Sequence, residues 1–179
     1  MSRIVAFLRA INVGGRNIKM AELKTIFETL PVQQVQTYIQ SGNVMFDIAA
    51  SKKKNFHTKI ENLLEEQLGY PVITILKDLA QMQHIIEQNP FPDRNPDTHQ
   101  LYVMMLAQIP NAKQREAIAA ISSEVDTYVF LDDILYIRCE RNKDKSLFTN
   151  MLVEKILKID GTTRNWNTVM KIASLLSKG

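Results

Sequence analysis

Apolar residues occupy consecutive positions from Ile4 to Leu8, the pattern of a central strand covered on both faces. Leu23, Ile26, Phe27 and Leu30 recur at helical spacing up to Pro31, which predicts a first helix ending there. Two alternating runs, Val35–Ile39 and Val44–Ile48, flank Ser41-Gly42-Asn43 and predict a hairpin. Phe56, Ile60, Leu63, Leu64 and Leu68 line one face of a second helix that stops near Gly69, and Val72–Leu76 reads as a fourth strand. The order is βαββαβ. A helix carrying Leu79, Met82, Ile85 and Ile86 on one stripe then meets Asn89–Pro96, whose three prolines forbid helix continuation and mark a linker.

The pattern then begins again. Leu101–Leu106 predicts a strand, the surroundings of Ala117, Ile118 and Ile121 a helix, and Val125–Phe130 with Ile134–Cys139 a second hairpin. Phe148, Met151, Leu152 and Ile156 give a further helix, so this part reads βαββα. Where a fourth strand would fall stands Gly161–Thr168, followed by a last helix with Trp166, Val169, Met170, Ala173 and Leu176 or Ser177 as its inner stripe. The expected class is α+β, two ferredoxin-like halves from an internal duplication plus a C-terminal helix. The halves are expected at 1–88 and 99–179, joined by a linker at 89–98.

The repeat is also visible residue by residue: Val35–Ile39 and Val44–Phe46 match Val125–Val129 and Ile134–Tyr136 ninety positions on without a gap. The first strands are offset by nearer ninety-seven, so the first half carries about seven extra residues between strand and helix. They fall in Ile11-Asn12-Val13-Gly14-Gly15-Arg16-Asn17.

At 179 residues and 45% hydrophobic content, the chain can bury a substantial core. The net charge of +3 divides into +2 over residues 1–90 and +1 over 91–179, so neither half resembles a nucleic-acid-binding tail. Cys139 is the one cysteine, which excludes an intramolecular disulfide and suits a reducing compartment. With no apolar run of ~18 residues and no leader pattern, a cytoplasmic protein without membrane partners is expected.

In a βαββαβ unit the loop after the first strand and the first hairpin turn lie at the same end. That topology brings Asn12, Gly14, Gly15, Arg16 and Asn17 beside Ser41, Gly42 and Asn43. The first helix starts near Lys19 or Met20 with its free N–H groups at this edge, an arrangement suited to anions. Gly14-Gly15 permits close backbone approach, Arg16 offers a planar fork, and the amides and Ser41 add neutral hydrogen bonds. Each motif alone also has a plain structural reading, as turn glycines, hairpin chemistry and a solvated arginine. Neither loop matches the phosphate-loop or dinucleotide signatures.

Arg164-Asn165-Trp166-Asn167-Thr168 begins the last helix. Thr162 or Thr163 is the expected cap and Trp166 the anchor, with Arg164, Asn165 and Asn167 as further donors for an anion. Phe7–Asn17, then Met20 and Leu23, then Thr37–Val44 and finally Thr163–Val169 together resemble the signature of the bacterial family known as domain of unknown function 1697. The resemblance covers nearly the whole chain, and implies a duplicated ferredoxin-like fold and a bacterial cytoplasmic setting. It implies no reaction. The chain departs from the family's usual Ser-Lys-Leu order at Lys145-Ser146-Leu147.

Other constellations are weak. His57, His84 and His99 have no second ligand at metal spacing, Cys139 reads as a buried strand residue, and Asp132-Asp133 as turn formers. Tyr102 with Tyr136 faintly resembles the paired aromatics of RNA-recognition sheets, but no basic glycine-rich octamer accompanies them. Lys52–Lys54 and the set Arg138, Arg141, Lys143 and Lys145 are candidates for phosphate contacts. The expected function is binding of a small anionic metabolite or nucleotide, phosphate-bearing, by the first half. No cofactor, metal, general base or nucleophile is evident, and whether a reaction follows is open. The alternatives are a single-stranded nucleic-acid module or a protein-interaction scaffold, the oligomeric state being open.

Overall fold

The computed structural model describes residues 1–12, 14–141 and 146–178. Its contacts divide the chain into two compact units, Met1–Gln83 with Ile172–Gly179, and His84–Lys171. The class is mixed α+β, with two four-stranded antiparallel sheets and six α-helices among the described residues.

The first unit contains β1 (Ser2–Leu8), α1 (Met20–Glu28), β2 (Gln33–Tyr38), β3 (Asn43–Ile48), α2 (Phe56–Leu68) and β4 (Thr74–Asp78), in sheet order β2-β3-β1-β4. Alternation along β1 sends Ile4, Ala6 and Leu8 into a core with Leu23 and Phe27 of α1 and Ile60 and Leu64 of α2. Phe46 stands at its centre, 5.8 Å from the ring centroids of both Phe27 and Phe56. Val5 and Phe7, on the opposite face of the strand, are fully buried as well, as the unbroken apolar run predicts. Gly69 ends α2 in the left-handed conformation, φ 77°, its N–H bonded to the Glu65 carbonyl.

After α3 (Leu79–Glu87), the second unit contains β5 (His99–Leu106), α4 (Ala112–Ala119), β6 (Asp126–Leu131), β7 (Ile134–Glu140), α5 (Asn150–Leu157) and β8 (Gly161–Asn165), in order β6-β7-β5-β8. Met104, Leu106, Leu135, Ile137, Val153 and Leu157 form its core. α6 (Trp166–Leu176) closes the chain.

Three expectations change. Residues 161–165, expected as helix entry, form β8, antiparallel to β5 with Val103 opposite Arg164. The β-branched pair Thr162-Thr163 favours a strand, and at Gly161 a Cβ would lie 3.1 Å from the Met105 carbonyl oxygen, so glycine lets β8 close on β5. The inner stripe of α6 is Val169, Ile172, Ala173 and Leu176, whereas Met170 is 43% exposed. The ungapped match of the two hairpins is out of register: pairing closes at Tyr38 with Asn43 and at Leu131 with Ile134, leaving residues 39–42 in one turn and 132–133 in the other. Runs of similar apolar residues satisfy several alignments, and turn length selects among them.

No helix among the described residues is long and apolar enough to cross a membrane.

Candidate functional site

Three loops meet at one corner of the first unit. The Leu8 N–H donates to the Gly42 carbonyl at 2.8 Å, and the Arg9 N–H to the Ile73 carbonyl at 2.9 Å. Connection 9–19 therefore leaves β1 held to the hairpin turn by one bond and to the α2–β4 loop by the other. Ile11, 2% exposed, packs so closely on Gly42 that a Cβ there would lie 2.5 Å from its Cγ2. Asn12 staples the next turn: its Nδ2 donates to the Gln40 carbonyl at 2.9 Å and its Oδ1 accepts the Ile18 N–H at 2.6 Å.

Beyond this staple, Gly14, Gly15, Arg16 and Asn17 are exposed. A side chain at Gly14 or Gly15 would meet nothing within 4 Å, so open space lies over this backbone. The Arg16 guanidinium rests 4.2 Å from the centroid of the Tyr70 ring, on the loop after α2. α1 starts beside them with Lys19 as its N-cap and no side-chain capping bond, although Glu22 places one carboxylate in its first turn. Backbone strain gathers here: Ala10, Asn12, Gly14, Gly15, Ile39 and Gly42 all have positive φ. For Ile39, a β-branched residue at φ 50° and 45% exposed, that conformation is a clear outlier.

The eight site residues expected in the first unit are thus neighbours, with unequal roles. Asn43 is fully buried and donates to the Tyr38 carbonyl and Ser41 Oγ at 2.9 and 3.0 Å, closing the hairpin. Asn12 and Asn43, expected to orient a ligand, therefore build the corner instead. Gly14, Gly15, Arg16 and Asn17 face solvent.

Arg164, Asn165 and Asn167 belong to the second unit. Arg164 is 6% exposed and donates to Thr162 Oγ1 at 2.7 Å and the Thr163 carbonyl at 2.8 Å. Burial lowers its guanidinium to about 10. The cap of α6 is Asn165, whose Oδ1 accepts the Thr168 N–H at 2.8 Å, rather than Thr162 or Thr163, and Asn167 is exposed.

Two residues that sequence reasoning passed over stand out. Tyr70 was accessible to the same topological argument that paired the first two loops, because the α2–β4 connection also lies at that end. Asp126 left no signal: it is 3% exposed, and its carboxylate accepts Ser146 Oγ, the Leu147 N–H and the Phe148 N–H at 2.7, 2.8 and 3.2 Å.

Among the remaining candidates, His57 and His84 are exposed and His99 meets Thr98 Oγ1 at 2.8 Å. Tyr136 is fully buried, with its hydroxyl donating to the Ile85 carbonyl at 2.7 Å, and Tyr102 packs on Phe148 at 5.4 Å, so neither presents a free ring face from the sheet. Asp132, φ 47°, forms its turn, and Lys53 pairs with Asp78 at 3.3 Å. Lys143 and Lys145 lie outside the described residues.

Burial in the second unit has a consequence for pH. It pushes the Cys139 thiol up to about 12 from an ordinary 9.0 and the Tyr136 phenol to about 12 from 10.0, and it raises Tyr128 as well. A raised folded-state value stabilises the fold below the unfolded value, and that stabilisation is lost as pH rises toward the folded one. Arg164, whose value is depressed, works the other way from about 10 upward. Three groups outweigh one, and Cys139 titrates first, so urea midpoints should fall steadily from about pH 9. A C139S variant should delay the onset by about one pH unit, the tyrosines starting only near their ordinary 10.0. A flat profile from pH 8 to 11 contradicts this.

A pair of helix-backed antiparallel sheets, one bearing an exposed glycine-arginine loop beside an aromatic ring, defines a mixed α+β protein. The chain belongs to the family described as Protein of unknown function (DUF1697), whose model matches residues 1–136. A solved structure, that of the conserved bacterial protein SP0830 from Streptococcus pneumoniae, is similar with a TM-score of 0.68 and 23% sequence identity, over 99% of each chain. No curated protein matches the chain by sequence.

Proposed function

We propose that the first unit binds a small anionic metabolite, phosphate-bearing, at the corner formed by residues 9–19, 39–42 and 69–73. One observation carries this reading: the loop is stapled down at Ile11 and Asn12, yet Gly14, Gly15, Arg16 and Asn17 are presented to solvent beside an uncapped helix start. Exposed amides supply the donors, Arg16 the charge, and Tyr70 an aromatic floor that suits a nucleotide base or the apolar face of a sugar. No residue is assigned proton transfer.

The contrast between units supports it. We read each as a ferredoxin-like βαββαβ unit derived from one duplicated ancestor, since the strand orders correspond and equivalent bonds recur. Leu106 N–H to the Asp133 carbonyl and Ala107 N–H to the Asp160 carbonyl repeat the two bonds made by Leu8 and Arg9. In the second unit the connection is only residues 107–111, and Arg115 bridges its corner by donating to the Pro110 and Asp132 carbonyls, both at 3.1 Å. The first unit has residues 9–19 there and carries a glycine pair. A bacterial cytoplasmic setting, where phosphorylated metabolites abound, belongs to this reading.

A thermal-shift screen against nucleotides, sugar phosphates and carboxylates tests it. A ligand at ~100 times its Kd stabilises by about 2.7 kcal/mol, a shift of several degrees. The shift should shrink strongly in R16A and persist in N167A. Equal shifts in wild type and R16A would remove Arg16 from the site, and no shift with any compound defeats the proposal.

A further inference from the structure

We propose that the second unit carries a phosphate-binding site of its own, formed by Arg94 and Arg141 around the start of β5. The proposal is independent of the first unit's corner.

The two guanidinium groups are gathered by neutral partners. Arg94 follows the turn that begins at Phe91, and its Nη1 donates to the His99 carbonyl at 3.3 Å. Arg141 is fixed to the same stretch twice, its N–H donating to the Thr98 carbonyl at 2.8 Å and its Nη2 to Gln100 Oε1. Arg138, opposite Leu101 and bonded to Thr127 Oγ1 at 3.1 Å, stands on the other face of the sheet from Gln100 and takes no part in the site.

Neither Arg94 nor Arg141 forms an ion pair with a carboxylate among the described residues. Each guanidinium has five N–H donors and spends one on these bonds, leaving most of its fork available. Arg94 and Arg141 also oppose each other: burial first, then the charge of Arg141, holds Arg94 below its ordinary value. Like charges held together by backbone carbonyls and an amide leave a repulsion that an anion would relieve. Guanidinium favours phosphate, which it grips with two parallel bonds, and two forks at one strand end suit a ligand with more than one phosphate. Such groups come either from a free polyphosphate compound or from the backbone of a single-stranded nucleic acid.

Arginine side-chain 1H–15N spectra of the full chain, titrated separately with tripolyphosphate and oligouridylate, test the proposal. The Nε–H signals of Arg94 and Arg141 should move saturably with at least one probe, and R94Q/R141Q should weaken that binding roughly tenfold or more, as expected for lost charge-assisted bonds. R16A should leave those shifts in place. Response to tripolyphosphate alone identifies free phosphate compounds as the source; response to oligouridylate alone, with a steep salt dependence, identifies a nucleic-acid strand. R141Q should melt no lower than wild type, because it removes a repulsion. Signals that stay fixed with both probes, or a drop of many degrees in R141Q that marks the guanidinium as a structural tie, would overturn the site.

Discussion

Replacing Asp126 by alanine should destabilise the second unit by about 3–5 kcal/mol, the cost of removing a buried charged acceptor and leaving its donors unmet. The carboxylate is 3% exposed and holds three donors from one short stretch, Ser146 Oγ and the N–H groups of Leu147 and Phe148. That stretch leads directly into α5 and positions Phe148, whose ring meets Tyr102 tilted at 5.4 Å and Tyr128 edge-on at 6.5 Å. Asp126 is therefore the tie between β6 and the entry to α5, and its loss should loosen the core as well as the loop. D126N, which keeps one oxygen acceptor but turns an amide toward N–H groups, should fall in between. S146A removes one donor and an Oγ that also accepts the Phe148 N–H, but leaves both N–H bonds to the carboxylate in place, and should cost only about 1 kcal/mol. Urea denaturation of the three variants checks the order. If D126A lost no more than S146A, the carboxylate would not be the anchor.

The second large effect concerns glycine. Gly42→Ala should cost about 3 kcal/mol, because left-handed backbone penalises a side chain by roughly 1–2 kcal/mol and overpacking adds a comparable amount. At φ 76° the new methyl would lie 2.5 Å from Ile11 Cγ2 and 3.0 Å from Leu8 Cβ, both on side chains no more than 2% exposed. Neither neighbour can swing away without opening the core. Gly14→Ala and Gly15→Ala have positive φ too but meet nothing within 4 Å, so each should cost only the backbone share, about 1–2 kcal/mol. The separation matters for function: G42A breaks the platform under the loop, whereas G15A alters the surface offered to a ligand on an intact fold. Denaturation midpoints of G42A and G14A that coincide would show that close packing of Ile11 does not constrain the turn.

Much of this architecture is legible along the chain. The run Ile4–Leu8, the stripe Phe56–Leu68 with Gly69 behind it, and the long excursion after the first strand all appear in the structure, within a residue or two for the strand and the stripe. Their signals are local: alternation, helical spacing and a glycine stop are written in neighbouring residues. The meeting of the 9–19 loop with the hairpin turn was also accessible, because connectivity alone dictates which loops share an end of an antiparallel sheet. Thr162-Thr163-Arg164 misled as a helix entry because its capping residues are equally good strand residues, and only pairing with β5 chooses between the two.

What the amino-acid order determined by itself is every strand and α-helix but β8, the succession of those elements and the longer connection after β1 than after β5, since these depend on patterns a few residues long. Tertiary structure alone decided which polar groups remain available. Asn12 and Asn43 looked like ligands' partners but spend their amides on Gln40 and Tyr38, Arg164 is buried against its own strand, and Asp126 meets donors some twenty residues away. Whether a hydrogen-bonding group faces solvent or a carbonyl depends on register and burial, and those arise only when distant segments pack.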